Sequence, residues 1–323
     1  MMKDTEFAFA VAKIRSNEYK LLTSNTIEAL ISAQNYNECI KILSEAGYEG
    51  FDKNDEDTVL SERQRTAFEL IYSSAPDKHC LDFLIVKNDF HNFKAILKSK
   101  VTGADFTKLV VSPSCILPGT VSKAVDEKDY SVIDGEFGAV LKEAYGILTE
   151  TMDGQMLEVF LDRKCLEMSV KLAEESKDDF AATLANLMCA LTNIRIALRC
   201  IKTGKDTSFV MNALADSSIV DKKQLAECCA VGIDELAEYV KRIGYNSVAH
   251  AMTLGYAAFE KQCDDILIEK IRFAKYQNLG IAPLIAYYFA TDAEIKTVRI
   301  ILSCKKNGID TEIIRERVRE LYV

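Results

Sequence analysis

Only four prolines and 14 glycines interrupt 323 residues. Both residues break regular helices, so their scarcity, beside abundant Ala, Leu, Glu and Lys, favours long helices. Histidine is rarer still. His79, His91 and His250 are the whole set, and none falls in HExxH or another ligand spacing, so no metal centre is expected. There is no GxxxxGK[ST] phosphate loop; the nearest glycine-lysine, Gly204-Lys205, is followed by Asp206. No GxSxG occurs and no cysteine has an evident histidine partner, so the sequence offers no catalytic residue and no cofactor site. The ten cysteines contain no CxxC pair. Most lie among apolar residues at helical spacing, as in Leu187-Met188-Cys189-Ala190-Leu191, and read as small hydrophobes in a reducing cytoplasm. The longest apolar stretches, such as Gly280 to Ala290, fall short of the ~20 residues of a bilayer span, and the opening MMKDTEFAFA carries acids, unlike a targeting signal. The chain is therefore expected not to cross a membrane, although a place beside one stays open.

Hydrophobic residues make up 49% and charged residues 28%, a globular balance. The net charge of −9 repels phosphate backbones, so nucleic acid is not an expected partner. Local basic segments can still meet an acidic protein.

The chain repeats itself. DFHNFKAILKSKVTGAD (Asp89 to Asp105), ALTNIRIALRCIKTGKD (Ala190 to Asp206) and EIKTVRIILSCKKNGID (Glu294 to Asp310) align without gaps at offsets of 101 and 104 residues. Phe90, Leu191 and Ile295 coincide, as do Phe93, Ile194 and Val298; Ile96, Ala197 and Ile301; and Leu97, Leu198 and Leu302. The spacing i, i+3, i+6, i+7 is one face of an α-helix. Each copy ends on a glycine, Gly103, Gly204 or Gly308, followed two residues later by Asp105, Asp206 or Asp310. Glycine ends a helix in the left-handed conformation and aspartate caps the next, so each copy reads helix, turn, helix.

Upstream, LSERQRTAFELI, LDRKCLEMSVKL and FEKQCDDILIEK each begin an amphipathic helix, with an early acid at Glu62, Asp162 or Glu260. EALISAQNYNECIKILSEAGY (Glu28 to Tyr48) resembles LAECCAVGIDELAEYVKRIGY (Leu225 to Tyr245), with Gly47-Tyr48 on Gly244-Tyr245. The expected organisation is all-α, with three helical-bundle domains at 1–119, 120–218 and 219–323. The copy number suggests a pseudo-threefold arrangement.

Lys94, Arg195 and Arg299 supply one cation per copy at an equivalent position. Two readings stand: structural ion pairs, with Glu62, Asp162 and Glu260 as candidate partners, or a ring of cations contacting an axial partner. The turns carry further basic residues: Lys98 and Lys100; Arg199, Lys202 and Lys205; Lys305 and Lys306. These read either as solvated helix ends complementing the dipole or as a basic rim facing an acidic partner or a membrane-embedded assembly.

The stretch Leu279 to Val323 resembles the end of the C subunit of V/A-type rotary ATPases, known as the d subunit in eukaryotes. The resemblance is carried by Gly280, Pro283, Tyr287-Tyr288, Glu294, Val298-Arg299-Ile300-Ile301-Leu302, Lys305, Gly308 and Ile314-Arg315-Glu316-Arg317. The opening FAFAVAKIRSNEYKLLTSNTIEALISA is similar to that family's first helix, with Arg15, Glu18, Leu21 and Leu22 in place. Phe7 and Phe9 stand where hydroxylated aromatics are common, and the middle copy has Ala190 where the outer copies have Asp89 and Glu294. The resemblance implies a non-catalytic component, one copy per complex, whose three domains form a funnel on the cytoplasmic face of the membrane rotor ring. The funnel would receive the central shaft (the D and F subunits) and so link ATP turnover to proton or sodium transport. A general helical scaffold, or an all-α enzyme without a short motif, are the competing readings.

Overall fold

The computed structural model describes residues 3–51 and 53–322. Among them there is no strand, and the fold is all-α. Sixteen α-helices follow one another. The first eight are α1 (Ala8–Arg15), α2 (Ser24–Ser32), α3 (Tyr36–Glu45), α4 (Glu56–Ser74), α5 (Asp82–Thr102), α6 (Pro118–Glu127), α7 (Gly135–Thr151) and α8 (Gly154–Glu175). Then come α9 (Asp179–Thr203), α10 (Thr207–Ala213), α11 (Lys222–Val231), α12 (Ile233–Arg242), α13 (Asn246–Leu254), α14 (Tyr256–Ile271), α15 (Ala282–Lys306) and α16 (Thr311–Arg317).

The starts are set by short polar residues. Asp55 accepts a hydrogen bond from the Thr58 N–H at 2.8 Å, Asp178 from Ala181 at 2.8 Å, and Asp221 from Gln224 at 2.8 Å. Each satisfies a donor that the first helical turn leaves without an intrahelical partner.

The chain forms two compact units. Residues 3–78 and 245–322 make the first. Its central element is α15, against which α4, α14 and α1 pack. Leu30, Leu43, Leu60, Val298, Ile301, Leu302 and Ile314 fill its core. Residues 79–244 make the second, in which α5 lies along α8 and α9 packs on α8 and α11. Phe90, Phe93, Ile96, Leu141, Leu157 and Leu161 fill that core. The matched apolar face of the middle copy, Leu191, Ile194, Ala197 and Leu198, is buried as well. Packing units and sequence copies are different divisions of the chain. In the second unit the long helix of the first copy (α5) lies on the leading helix of the second (α8). In the first unit the long helix of the third copy (α15) lies on the leading helix of the first (α4).

Among the described residues, only α9 is long and apolar enough to cross a membrane by length and composition, and 61% of its most apolar stretch is buried within the fold. Asn186, Thr192 and Asn193 interrupt the run, so a search for unbroken apolar stretches passes over it. The ten cysteines are free, seven of them buried. Burial pushes the Cys165 and Cys189 thiols to about 12, so they stay neutral.

Candidate functional site

The repeated glycines close their helices in the left-handed conformation. Gly103 ends α5 with φ 71°, Gly204 ends α9 with φ 63°, and Gly308 follows α15 with φ 62°. Asp105 then accepts from the Thr107 N–H at 2.9 Å and Asp206 from the Phe209 N–H at 2.7 Å. Asp310 occupies the N-cap of α16 without a side-chain cap bond. A Cβ at Gly204 would meet no atom within 4 Å, so only its backbone conformation resists substitution. Gly204→Ala is therefore expected to cost about 1 kcal/mol, readable as a small drop in urea midpoint with an unchanged m-value.

The cations on the same helices are engaged within the chain. Lys94 pairs with Asp162, the leading acid of the following copy, and Lys98 with Glu158. Glu62 pairs instead with Arg65 of its own helix at 2.5 Å. The Lys94 and Lys98 pairs follow from the packing of α5 on α8. Lys100 reaches Asp126 at 2.8 Å. Arg299 reaches Asp57 at 3.0 Å, and Lys306 reaches Glu56 at 2.7 Å while lying over the Tyr36 ring. Lys305 donates to the backbone carbonyls of Ile31 and Ala33 at 2.7 and 2.5 Å, closing the C-terminal end of α2. Lys205 sits 4.6 Å from the centroid of the Phe209 ring. Arg195, Arg199 and Lys202 also have partners.

The strongest polar constellation is one that motif reasoning passes over. Glu294 of α15 is 2% exposed, yet its carboxylate is saturated. Oε2 accepts from the Leu22 N–H at 2.5 Å; Oε1 accepts from the Tyr48 hydroxyl at 2.5 Å and from Arg63 Nη2 at 3.1 Å. Arg63 also donates to the Lys20 carbonyl at 2.7 Å and stacks over the Tyr48 ring. Burial, reinforced by the Glu294 charge, holds the Tyr48 hydroxyl well above its ordinary 10, so it remains a donor. Nearby, Arg15 pairs with Glu18 at 2.5 Å and donates to the carbonyls of Ala274 and Gln277 at 2.5 and 2.7 Å.

Asp89, the matched residue of the first copy, is buried in the second unit and accepts from the N–H groups of Cys115 and Ile116 at 3.0 and 2.8 Å. Burial raises its pKa from 3.8 to about 6, against the pull of those two bonds. The folded chain therefore holds this proton more tightly than the unfolded chain. The stability it contributes is fully present below pH 3.8 and is lost as pH rises through about 6. Wild type is expected to gain stability relative to Asp89→Asn as pH falls from 7 to 4. Paired urea titrations check this, and a pH-independent difference would sink it.

Three residues further along, Asn92 exchanges two hydrogen bonds with the backbone of Val111, and Asn193 does the same with Ala215. The third equivalent, Thr297, is buried with its hydroxyl unpartnered. The gapless alignment places these residues in register; their pairing along a buried face is the signal available in the sequence. The two asparagines tie loops to helices. Among the described residues no cluster of His, Cys, Asp and Glu could hold a metal ion.

The family model for the ATP synthase (C/AC39) subunit matches residues 10–317. Among curated relatives, the V-type sodium ATPase C subunit of Enterococcus hirae is 23% identical, over 96% of this chain and 97% of its own length. The A-type ATP synthase C subunit of Methanocaldococcus jannaschii is 23% identical over 96% and 85%. The V-type ATP synthase C subunit of Thermus thermophilus is 20% identical over 97% and 98%. With a family match running through nearly every helix just described, the chain belongs to the ATP synthase (C/AC39) subunit family, a non-catalytic stalk component of V/A-type rotary ATPases.

Proposed function

We propose that this chain is the socket of the central stalk, one copy per complex. It would receive the rotating shaft of the D and F subunits and rest on the membrane ion-carrying ring, so linking ATP turnover to proton or sodium transport. The observation that carries this reading is the match of a non-catalytic stalk family to residues 10–317 of an all-helical chain. A torque-bearing part needs stiffness, which close-packed long helices supply. We further propose that the sequence copies 1–119, 120–218 and 219–323 are its three domains, peripheral to the membrane through the ring.

The ring contact is expected to be partly electrostatic. Lys98, Arg299 and Lys306 are close to half exposed, and all but one of their acid partners are exposed too. Exposed pairs contribute little, about 0–1 kcal/mol, so Lys98 and Arg299 can exchange partners for an acidic surface at little cost. Affinity purification of the tagged chain from native membranes is expected to bring down the shaft and ring proteins. Ring recovery should fall as salt is raised from about 50 to about 500 mM, conditions chosen to span about a threefold change in screening length. Recovery of neither shaft nor ring would favour a general scaffold, and detachment indifferent to salt would remove the electrostatic part.

A further inference from the structure

Among the described residues four aromatic side chains are exposed, and three of them stand at one corner of the first unit. They are Tyr19, 78% exposed, Tyr276, 86% exposed, and Phe273; Leu279 is exposed on the same stretch. Two segments distant in sequence carry them. One is the short 3-10 turn Glu18–Lys20 after α1, and the other runs from the 3-10 turn Arg272–Tyr276 to Leu279, just before α15. Arg15 stitches the two together, because its single guanidinium holds Glu18 and the carbonyls of Ala274 and Gln277. A second stitch runs from the Gly280 N–H to the Asp4 carbonyl at 3.1 Å. The C-terminal segment braces the same corner. Arg272 pairs with Glu320, the Glu320 N–H donates to Asp265 at 2.8 Å, and the Lys275 ammonium lies 5.1 Å from the centroid of the buried Tyr322 ring.

Apolar side chains exposed singly need no explanation, but aromatics gathered on a braced corner do. A backbone already fixed by these bonds loses little freedom on association, and tyrosine is enriched among the residues that anchor protein interfaces. The charges say what kind of surface fits. The carboxylates of Glu18 and Glu320 are neutralised within the chain. Lys20 and Lys275 instead meet aromatic faces, Lys20 at 5.8 Å from the Tyr19 centroid, and neither pairs with a carboxylate among the described residues. Asp4, at the edge, is the acid left over. The complement is a protein surface with an apolar centre and flanking carboxylates. Position narrows the choice further. Arg299, a cation expected to meet the ring, lies on α15 about 26 Å along the axis from its first residue, beside which this corner sits. A part that passes torque between two bodies has to hold them at separate places.

We propose that the Tyr19–Phe273–Tyr276 corner is a docking surface for the rotating shaft, which presents an apolar patch to the aromatic rings and carboxylates to Lys20 and Lys275. The proposal rests on the stalk reading, because that complex supplies the shaft.

A photoreactive phenylalanine derivative in place of Tyr276, in the complex purified from membranes, tests it. Irradiation is expected to link this chain to a shaft protein. The double variant Tyr19→Ser, Tyr276→Ser should weaken binding of the purified full chain to the purified shaft at least about tenfold. Lys20→Glu should weaken it too and flatten its dependence on salt. The thermal midpoint of each variant should stay at the wild-type value, since Tyr19, Lys20 and Tyr276 are all exposed. A cross-link from position 276 to the ring in place of the shaft, or unchanged shaft affinity in the tyrosine double variant, would overturn the docking surface and leave the stalk reading intact. So would flotation of the chain with vesicles of equal parts phosphatidylcholine and phosphatidylglycerol that the tyrosine variant abolishes while shaft affinity holds, because the occupant would then be lipid. Failure of the chain to co-purify with any rotary ATPase component would overturn both.

Discussion

Replacing Glu294 with alanine is expected to lower the unfolding free energy by about 3–5 kcal/mol, the cost of removing one partner from a buried ion pair. The loss has three parts. The Arg63 guanidinium, itself mostly buried, keeps its charge without a counter-ion. The Leu22 N–H loses its acceptor in the core. The Tyr48 hydroxyl, 2% exposed with the rest of its residue, loses its own. Glu294→Gln keeps the shape and one acceptor oxygen but turns an amide N–H₂ toward donors, so it should fall between alanine and wild type. Arg63→Met combined with Glu294→Leu should recover much of the loss, because no unpaired charge is then left behind. Urea denaturation reads the ordering, and hydrogen exchange at Leu22 locates it. Equal destabilisation by Glu294→Ala and the double variant would show that the charge does not dominate.

Much of the fold is legible in the sequence because its signals are local. A helix of period 3.6 declares its buried face, and Phe90, Phe93, Val298 and Ile301 all lie where the periodicity places them. The glycine-x-aspartate turn is readable for a similar reason: a left-handed backbone at Gly103, Gly204 and Gly308 selects glycine regardless of what packs nearby. Partners distant in sequence are not readable. Nothing near Lys94 names Asp162, because the pair exists only once α5 lies on α8. Nothing near Glu294 announces Leu22, Tyr48 and Arg63, three donors contributed by a segment more than 200 residues away. Composition exposes a buried carboxylate only as one acid among 49.

The three matched positions Asn92, Asn193 and Thr297 predict three different outcomes from nearly the same substitution, and burial decides among them. Asn193 and Ala215 are both fully buried, and their two hydrogen bonds are 2.9 and 3.0 Å. Asn193→Leu would strand one N–H and one C=O where water cannot reach, so a loss of about 3 kcal/mol is expected. Asn92 makes the same exchange with Val111, at 3.0 and 2.8 Å, but Val111 is 37% exposed. Water can take over both backbone groups, and Asn92→Leu should cost only about 1 kcal/mol. At Thr297 the hydroxyl is buried without a partner, so Thr297→Val removes an unsatisfied group at constant shape and should be neutral or stabilising by about 1 kcal/mol. Urea midpoints for the three single variants give the order directly. If Asn92→Leu proved as costly as Asn193→Leu, the bonds to Val111 would be worth more than the water that can replace them, and burial of the loop backbone would no longer explain why the middle copy depends on its asparagine.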